Sequence, residues 1–186
     1  MNIDPRQTRD EWLVLRYQQG DRAAFDELTK RWEARLLYYL RRLVRQEVDA
    51  WDALQRTWLA AYRGLKRMKE PRALRAWLYR VARNQAANHY RDELAYRSHI
   101  DGNIDPDTLV ESSWEPTNDL AERVHVALRS LGLPHREVIT LYFLEQMPLD
   151  EIALITQTPV GTVKSRLHYA KRQLKQILET TEKECE

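Results

Sequence analysis

Apolar side chains return at three- and four-residue steps along most of this chain, the spacing of helices that bury one face. Thr8-x-x-Glu11 reads as a capping box opening a first helix, which Gly20 stops. Asp21 caps a second helix, with Phe25, Leu28, Trp32, Leu36, Leu40 and Leu43 in register to about Arg45. The third places Trp51, Leu54, Trp58, Ala61, Tyr62 and Leu65 on one side, and Gly64 and Pro71 mark a loop over 67–72. A fourth is expected over 73–93, with Leu74, Trp77, Leu78, Val81 and Ala82 inward. The pattern lapses over 98–118, where Gly102, Pro106, Pro116 and many polar residues predict a linker. It resumes with Leu120, Val124, Leu128 and Leu131, breaks at Gly132-Leu133-Pro134, and continues as helices over 135–145, 149–155 and from 158. No segment alternates as a strand. The expected fold class is all-α: two small four-helix domains, 1–93 and 119–178, a flexible acidic linker, 94–118, and a tail, 179–186.

The last helix is distinctive. Thr158 suits its cap and Pro159 its first position, where a missing N–H costs nothing. Val160, Val163, Leu167, Ala170, Leu174 and Ile177 form its buried stripe, while Lys164, Arg166, Lys171, Arg172 and Lys175 cover the rest, with no acid over 158–176. A short helix with Ile152, Ala153 and Ile155 precedes it across a tight turn, making a helix-turn-helix candidate. A basic exposed face is also what an ordinary solvated core helix carries.

Charge sharpens the picture. The formal net charge is only +2, but residues 1–91 hold twenty bases against eleven acids, and 92–119 hold eight acids against the single base Arg97. Two basic modules on an acidic tether suit a protein that grips DNA at two places, because neutralising phosphates drives that binding. Five glycines leave little room for phosphate-cradling loops, and neither a P-loop nor a dinucleotide fingerprint appears. His89, His99, His125, His135 and His168 lack metal-ligand spacing, so neither a metal nor an enzyme's catalytic group is expected. The lone Cys185 fits a reducing cytoplasm, and no apolar run predicts a membrane span or a signal peptide. No cofactor or small-molecule substrate is implied.

The segment 74–91 carries the second candidate site. Helical spacing gathers Arg80, Arg83, Asn84, Asn88 and Arg91 on one exposed face, with Arg75, Trp77 and Tyr79 close by. Aromatics stack on unpaired bases, cations hold phosphates and amides read base edges, a set suited to single-stranded DNA. Trp77, on the apolar stripe, fits the core better; for Tyr79 both readings, core ring or stacking platform, stand open.

Two stretches carry a family resemblance. Leu149-Asp150-Glu151-Ile152-Ala153 with 159–168, Pro-Val-Gly-Thr-Val-Lys-Ser-Arg-Leu-His, resembles the final helix-turn-helix of sigma-70-family RNA polymerase sigma factors of the extracytoplasmic-function type. The stretch 74–84 resembles the part of those factors that reads and melts the −10 element, flanked by matching signatures at 20–25 and 52–58. The resemblance covers roughly residues 10–93 and 120–178 and implies a transcription initiation factor that binds core RNA polymerase and promoter DNA. Thr162, Lys164, Ser165, Arg166, His168, Tyr169 and Arg172 would meet the duplex −35 element. Arg75, Trp77, Tyr79, Arg80, Arg83, Asn84, Asn88 and Arg91 would meet the single-stranded −10 element, with the loop 67–72 cradling a flipped base. Asp49, Asp52, Gln55 and Arg56 would dock on the polymerase, and an anti-sigma protein is implied as a further partner. Arg56 stands where the family usually has glutamate, Tyr169 where a base is usual, and Thr156-Gln157-Thr158 where an apolar-Gly-apolar turn is commoner. A left-handed Gln157 would be strained by ~1 kcal/mol. The alternative is a stand-alone helix-turn-helix regulator that does not bind polymerase.

Overall fold

Gly20 turns the chain between the first two helices at φ +100°, a conformation a residue without Cβ adopts freely. Asp21 follows as the cap, its carboxylate accepting from the Ala23 N–H at 3.0 Å and pairing with Arg16. In the computed structural model residues 5–44, 46–100 and 127–183 are described, with side chains at 7–44, 46–88 and 127–178. All regular structure among them is helical, and the chain divides into two units, Met1–Thr108 and Leu109–Glu186.

The first unit contains α1 (Pro5–Gln18), α2 (Arg22–Leu43), α3 (Glu47–Gly64) and α4 (Leu74–Ile100), with 3-10 turns at Leu65–Arg67 and Pro71–Ala73. α1 begins three residues before the expected capping box, so Thr8 lies inside the helix; Pro5 occupies the first position, where its lack of an N–H is harmless. α4 runs seven residues past the expected end, through a stretch with no Gly or Pro to stop it. The expected linker therefore starts inside this helix, and its remainder, 101–118, lies outside the described residues.

α2 is the hub, packing on α1, α3 and α4. Leu28, Leu36 and Leu40 of α2, Leu54 of α3 and Leu78 of α4 belong to a core closed to solvent. Two aromatic clusters lock it. Tyr17, Phe25 and Tyr62 join α1, α2 and α3 with ring centroids 5.2–5.7 Å apart, and Trp58 meets Phe25 edge-on at 6.0 Å. Tyr79 of α4 sits between Tyr39 and Trp32 of α2, at 5.0 and 6.2 Å. Asp10 ties α1 to α2 through the Arg31 guanidinium at 2.8 Å, yet burial outweighs that partner and pushes its carboxyl above the ordinary range.

The second unit has helical residues at 127–129, then α5 (Leu133–Ile139), one π turn at Thr140–Leu144, α6 (Leu149–Thr156) and α7 (Val160–Lys183). Residues 119–126 of its expected first helix lie outside the described residues. The single helix expected over 135–145 is instead α5 and the π turn, in which the Glu145 N–H reaches back five residues to the Thr140 carbonyl at 3.2 Å. That wide turn keeps Leu141 inside while Phe143 and Leu144 face outward.

α5 and α6 both pack on α7, burying Val163, Leu167 and Ala170. The ends of the expected stripe are less covered: Val160 is exposed, and Leu174 and Ile177 are half-buried. Between α6 and α7, Gln157 is left-handed at φ 55°, ψ 41°, and its N–H and that of Thr158 both reach the Ala153 carbonyl. The helix begins one residue later than expected, with the Pro159 carbonyl accepting from the Val163 N–H. The Thr158 hydroxyl bonds the Thr156 hydroxyl at 2.9 Å.

Candidate nucleic-acid interfaces

With Val163, Leu167 and Ala170 inward, a turn of 3.6 residues aims Ser165, His168, Tyr169 and Arg172 outward, and all four are exposed. Lys164 is exposed on one flank, while Thr162 and Arg166 are half-buried on the other. The Ser165 hydroxyl donates to the Thr162 carbonyl at 2.9 Å. His168 and Tyr169 meet edge to face, 5.7 Å apart at 77°. Lys171 is diverted from the basic face: its ammonium lies 5.3 Å from the Tyr142 ring and 5.1 Å from Phe143, pinning α7 to the π turn. All seven residues expected to meet duplex DNA thus fall on one helix, five of them exposed.

On α4, Arg80 and Asn84 are exposed one turn apart, and Arg75, Arg83 and Asn88 are half-buried. Tyr79 corrects the sequence reading: it is 0% exposed, its ring enclosed by α2, and has no face left for a base. Trp77 is half-buried against the end of α3, where a Cβ on Gly64 would stand 2.6 Å from its Cζ2. The absent side chain at Gly64 is what admits the indole. The backbone of Arg91 belongs to α4, but its side chain lies outside the described residues.

The loop 67–72 is held from α1. The Gln18 amide donates to the Leu65 carbonyl at 2.9 Å and the Met68 carbonyl at 2.8 Å, bracketing the turn that opens the loop. At its far end the Arg72 guanidinium lies 3.5 Å from the Glu11 carboxylate. Gln18 went unnoticed in sequence, although it follows the buried Val14 by four residues, on a face where a polar group needs partners.

On α3, Asp52, Gln55 and Arg56 are exposed, whereas Asp49 is half-buried and accepts from the Gln46 N–H at 3.3 Å, closing the helix start. Trp51, expected inward, is 41% exposed, and it runs with Val48 and Leu59, each more than 60% exposed, along the polar residues. Buried Ala50, Ala53 and Leu54 take the inner face, which leaves the larger ring outside. Among the described residues no cluster of His, Cys, Asp and Glu suits a metal, and no helix is long and apolar enough to cross a membrane.

Residues 28–95 match the family model Sigma-70 region 2, and residues 121–174 match Sigma-70, region 4. Over 184 residues the chain is 30% identical to the RNA polymerase sigma-H factor of Pseudomonas aeruginosa, covering 93% of this chain and 95% of that one. The chain is a sigma-70-family sigma factor of the extracytoplasmic-function (ECF) type. It is also 32% identical over 180 residues to the ECF RNA polymerase sigma-E factor of Escherichia coli, covering 89% and 92% of the two chains. Among solved structures, CnrH in complex with the cytosolic domain of CnrY aligns at TM-score 0.68 and 27% identity, over 92% of this chain and 98% of that one. The sigma factor RpoE of Bartonella quintana, solved with the anti-sigma factor NepR, shares the fold at TM-score 0.72 and 23% identity, over 83% and 96%. Both matched regions lie on one chain, which sets aside the stand-alone regulator. Sigma factors are non-catalytic initiation factors, and α4 belongs to region 2 and α7 to region 4.

Proposed function

We propose that this sigma factor works in the cytoplasm by binding core RNA polymerase and holding one promoter in two states at once, with no catalytic chemistry of its own. The unit of α5–α7 takes the −35 element as duplex, with α7 in the major groove. Lys164, Arg166, Thr162 and, further along the helix, Arg172 hold phosphates, while Ser165, His168 and Tyr169 face bases. The unit of α1–α4 takes the opened −10 strand along Arg75, Arg80, Arg83, Asn84, Asn88 and Arg91, and the loop braced by Gln18 receives an unpaired base. Trp77 shapes that surface from beneath.

Docking on the polymerase falls to the outer face of α3. Asp52, Gln55 and Arg56 supply polarity there, Asp49 fixes the helix start, and the exposed Val48, Trp51 and Leu59 supply apolar area. The observation that carries this reading is the pair of outward faces, cations with amides on α4 and cations with hydroxyl and ring groups on α7, in the two units that match regions 2 and 4. An anti-sigma protein that withholds the factor completes it; the CnrH relative is captured with the cytosolic domain of CnrY.

Run-off transcription with purified core polymerase tests the proposal. Promoter-dependent transcripts should appear only when the chain is added. Arg80→Ala with Asn84→Ala should abolish open complexes while sparing binding to duplex −35 DNA. Core polymerase that gains no promoter preference from the chain would refute the reading.

A further inference from the structure

A recognition helix reads sequence with the side chains on its crest, opposite the stripe it buries. On α7 that crest is Gly161, Ser165, His168, Tyr169 and Arg172, all exposed. Its chemistry is restricted. Gly161 offers no side chain, and the Ser165 hydroxyl donates to the Thr162 carbonyl one turn back. Arg166 is half-buried on the flank of the helix beside the Leu167 stripe, away from the crest; Lys171 is drawn over Tyr142 and Phe143. Arg172 lies beyond the N-terminal half that such helices set against base edges. His168 and Tyr169 remain at the middle of the crest. Tyr169 is 56% exposed, and its edge-to-face contact with His168 orients the ring before any DNA arrives.

A tyrosine cannot form the bidentate pairs that select guanine or adenine in the major groove, because it has a single hydroxyl on an apolar ring. Thymine presents the complement: a C5 methyl beside a lone O4 acceptor. We propose that Tyr169 is a specificity-determining residue of α7 that reads a thymine in the upstream element, its ring against the methyl and its hydroxyl donating to O4. This rests on the duplex role of α7 proposed above.

The test uses holoenzyme reconstituted from the full chain and core polymerase to select duplexes randomised upstream of a fixed −10 region. The wild type should enrich thymine at one position, and replacing that thymine by deoxyuridine, which removes only the methyl, should weaken binding about fourfold. Tyr169→Phe should keep the discrimination against uracil, Tyr169→Ala should erase it, and Tyr169→Arg should move the preference toward guanine. Equal thymine-to-uracil discrimination in the wild type and Tyr169→Ala, or enrichment of guanine by the wild type there, would overturn the assignment while leaving the duplex role intact. Failure to enrich any upstream sequence would overturn both.

Discussion

Replacing Gly64 by alanine sets two effects of known size against each other. Gly64 is the last residue of α3 with φ −76°, an ordinary helical conformation, so helix propensity alone favours alanine by up to about 1 kcal/mol. The new methyl would stand 2.6 Å from Trp77 Cζ2 and 2.9 Å from Cη2, where carbon atoms in contact sit about 3.5–4.0 Å apart. The indole would have to retreat by about 1 Å. Overpacking of this kind costs about 1–3 kcal/mol, so once the propensity gain is set against it the net expectation is a loss of up to about 2 kcal/mol. Urea unfolding of the full chain followed by far-UV circular dichroism reads the change without relying on tryptophan emission. Trp77→Phe removes the two offending carbons, and in that background Gly64→Ala should cost nothing or stabilise slightly, a coupling of about 1 kcal/mol or more. A stabilising Gly64→Ala, or an identical effect in both backgrounds, would refute the close-packing argument.

Gln157→Gly should stabilise the second unit by up to about 0.5 kcal/mol, because left-handed strain of about 1 kcal/mol outweighs the roughly 0.5–1 kcal/mol of extra chain entropy of glycine; thermal unfolding should show no gain for Gln157→Ala, which keeps the strain. Burial raises the folded-state pKa of Asp10, so the fold takes up that proton before the unfolded chain does. Measured by urea unfolding, the stability difference between the wild type and Asp10→Asn should therefore move in favour of the wild type as pH falls from neutrality to about 3.8; the opposite slope would contradict the assigned burial. Asp21, lowered chiefly by its hydrogen bond from Arg16, has the other sign: its stabilisation fades as pH falls below the usual aspartate range. Gln18→Ala should weaken capture of single-stranded −10 oligonucleotide by the holoenzyme while leaving duplex −35 binding unchanged, as fluorescence anisotropy would read.

The helical periodicity in the sequence was enough to place α2, α3, α6 and α7, because the faces that Leu28, Leu54, Ile152 and Val163 bury are set by local spacing. Boundaries decided by partners were harder. The π turn depends on how Leu141 and Met147 fill the second unit, and no local signal separates it from an ordinary helical turn. Trp51 and Tyr79 exchanged expected roles for one reason: periodicity locates a face but not what stands opposite. Tyr79 meets α2 and Trp51 meets solvent. The candidate surfaces on α4 and α7 were legible because cations and amides cluster there without acids. The bracing by Gln18 was not, since it joins residues nearly fifty positions apart.

The enclosure of Tyr79 has a thermodynamic corollary. With that ring fastened beneath it, the helix backbone at the start of α4 would need no ordering if a nucleotide strand docks there as proposed. The disorder surrendered in making an open promoter is then chiefly the DNA's own. Discrimination downstream should then combine how readily each sequence unpairs with which bases a stiff mould accepts, the protein acting as no folding partner.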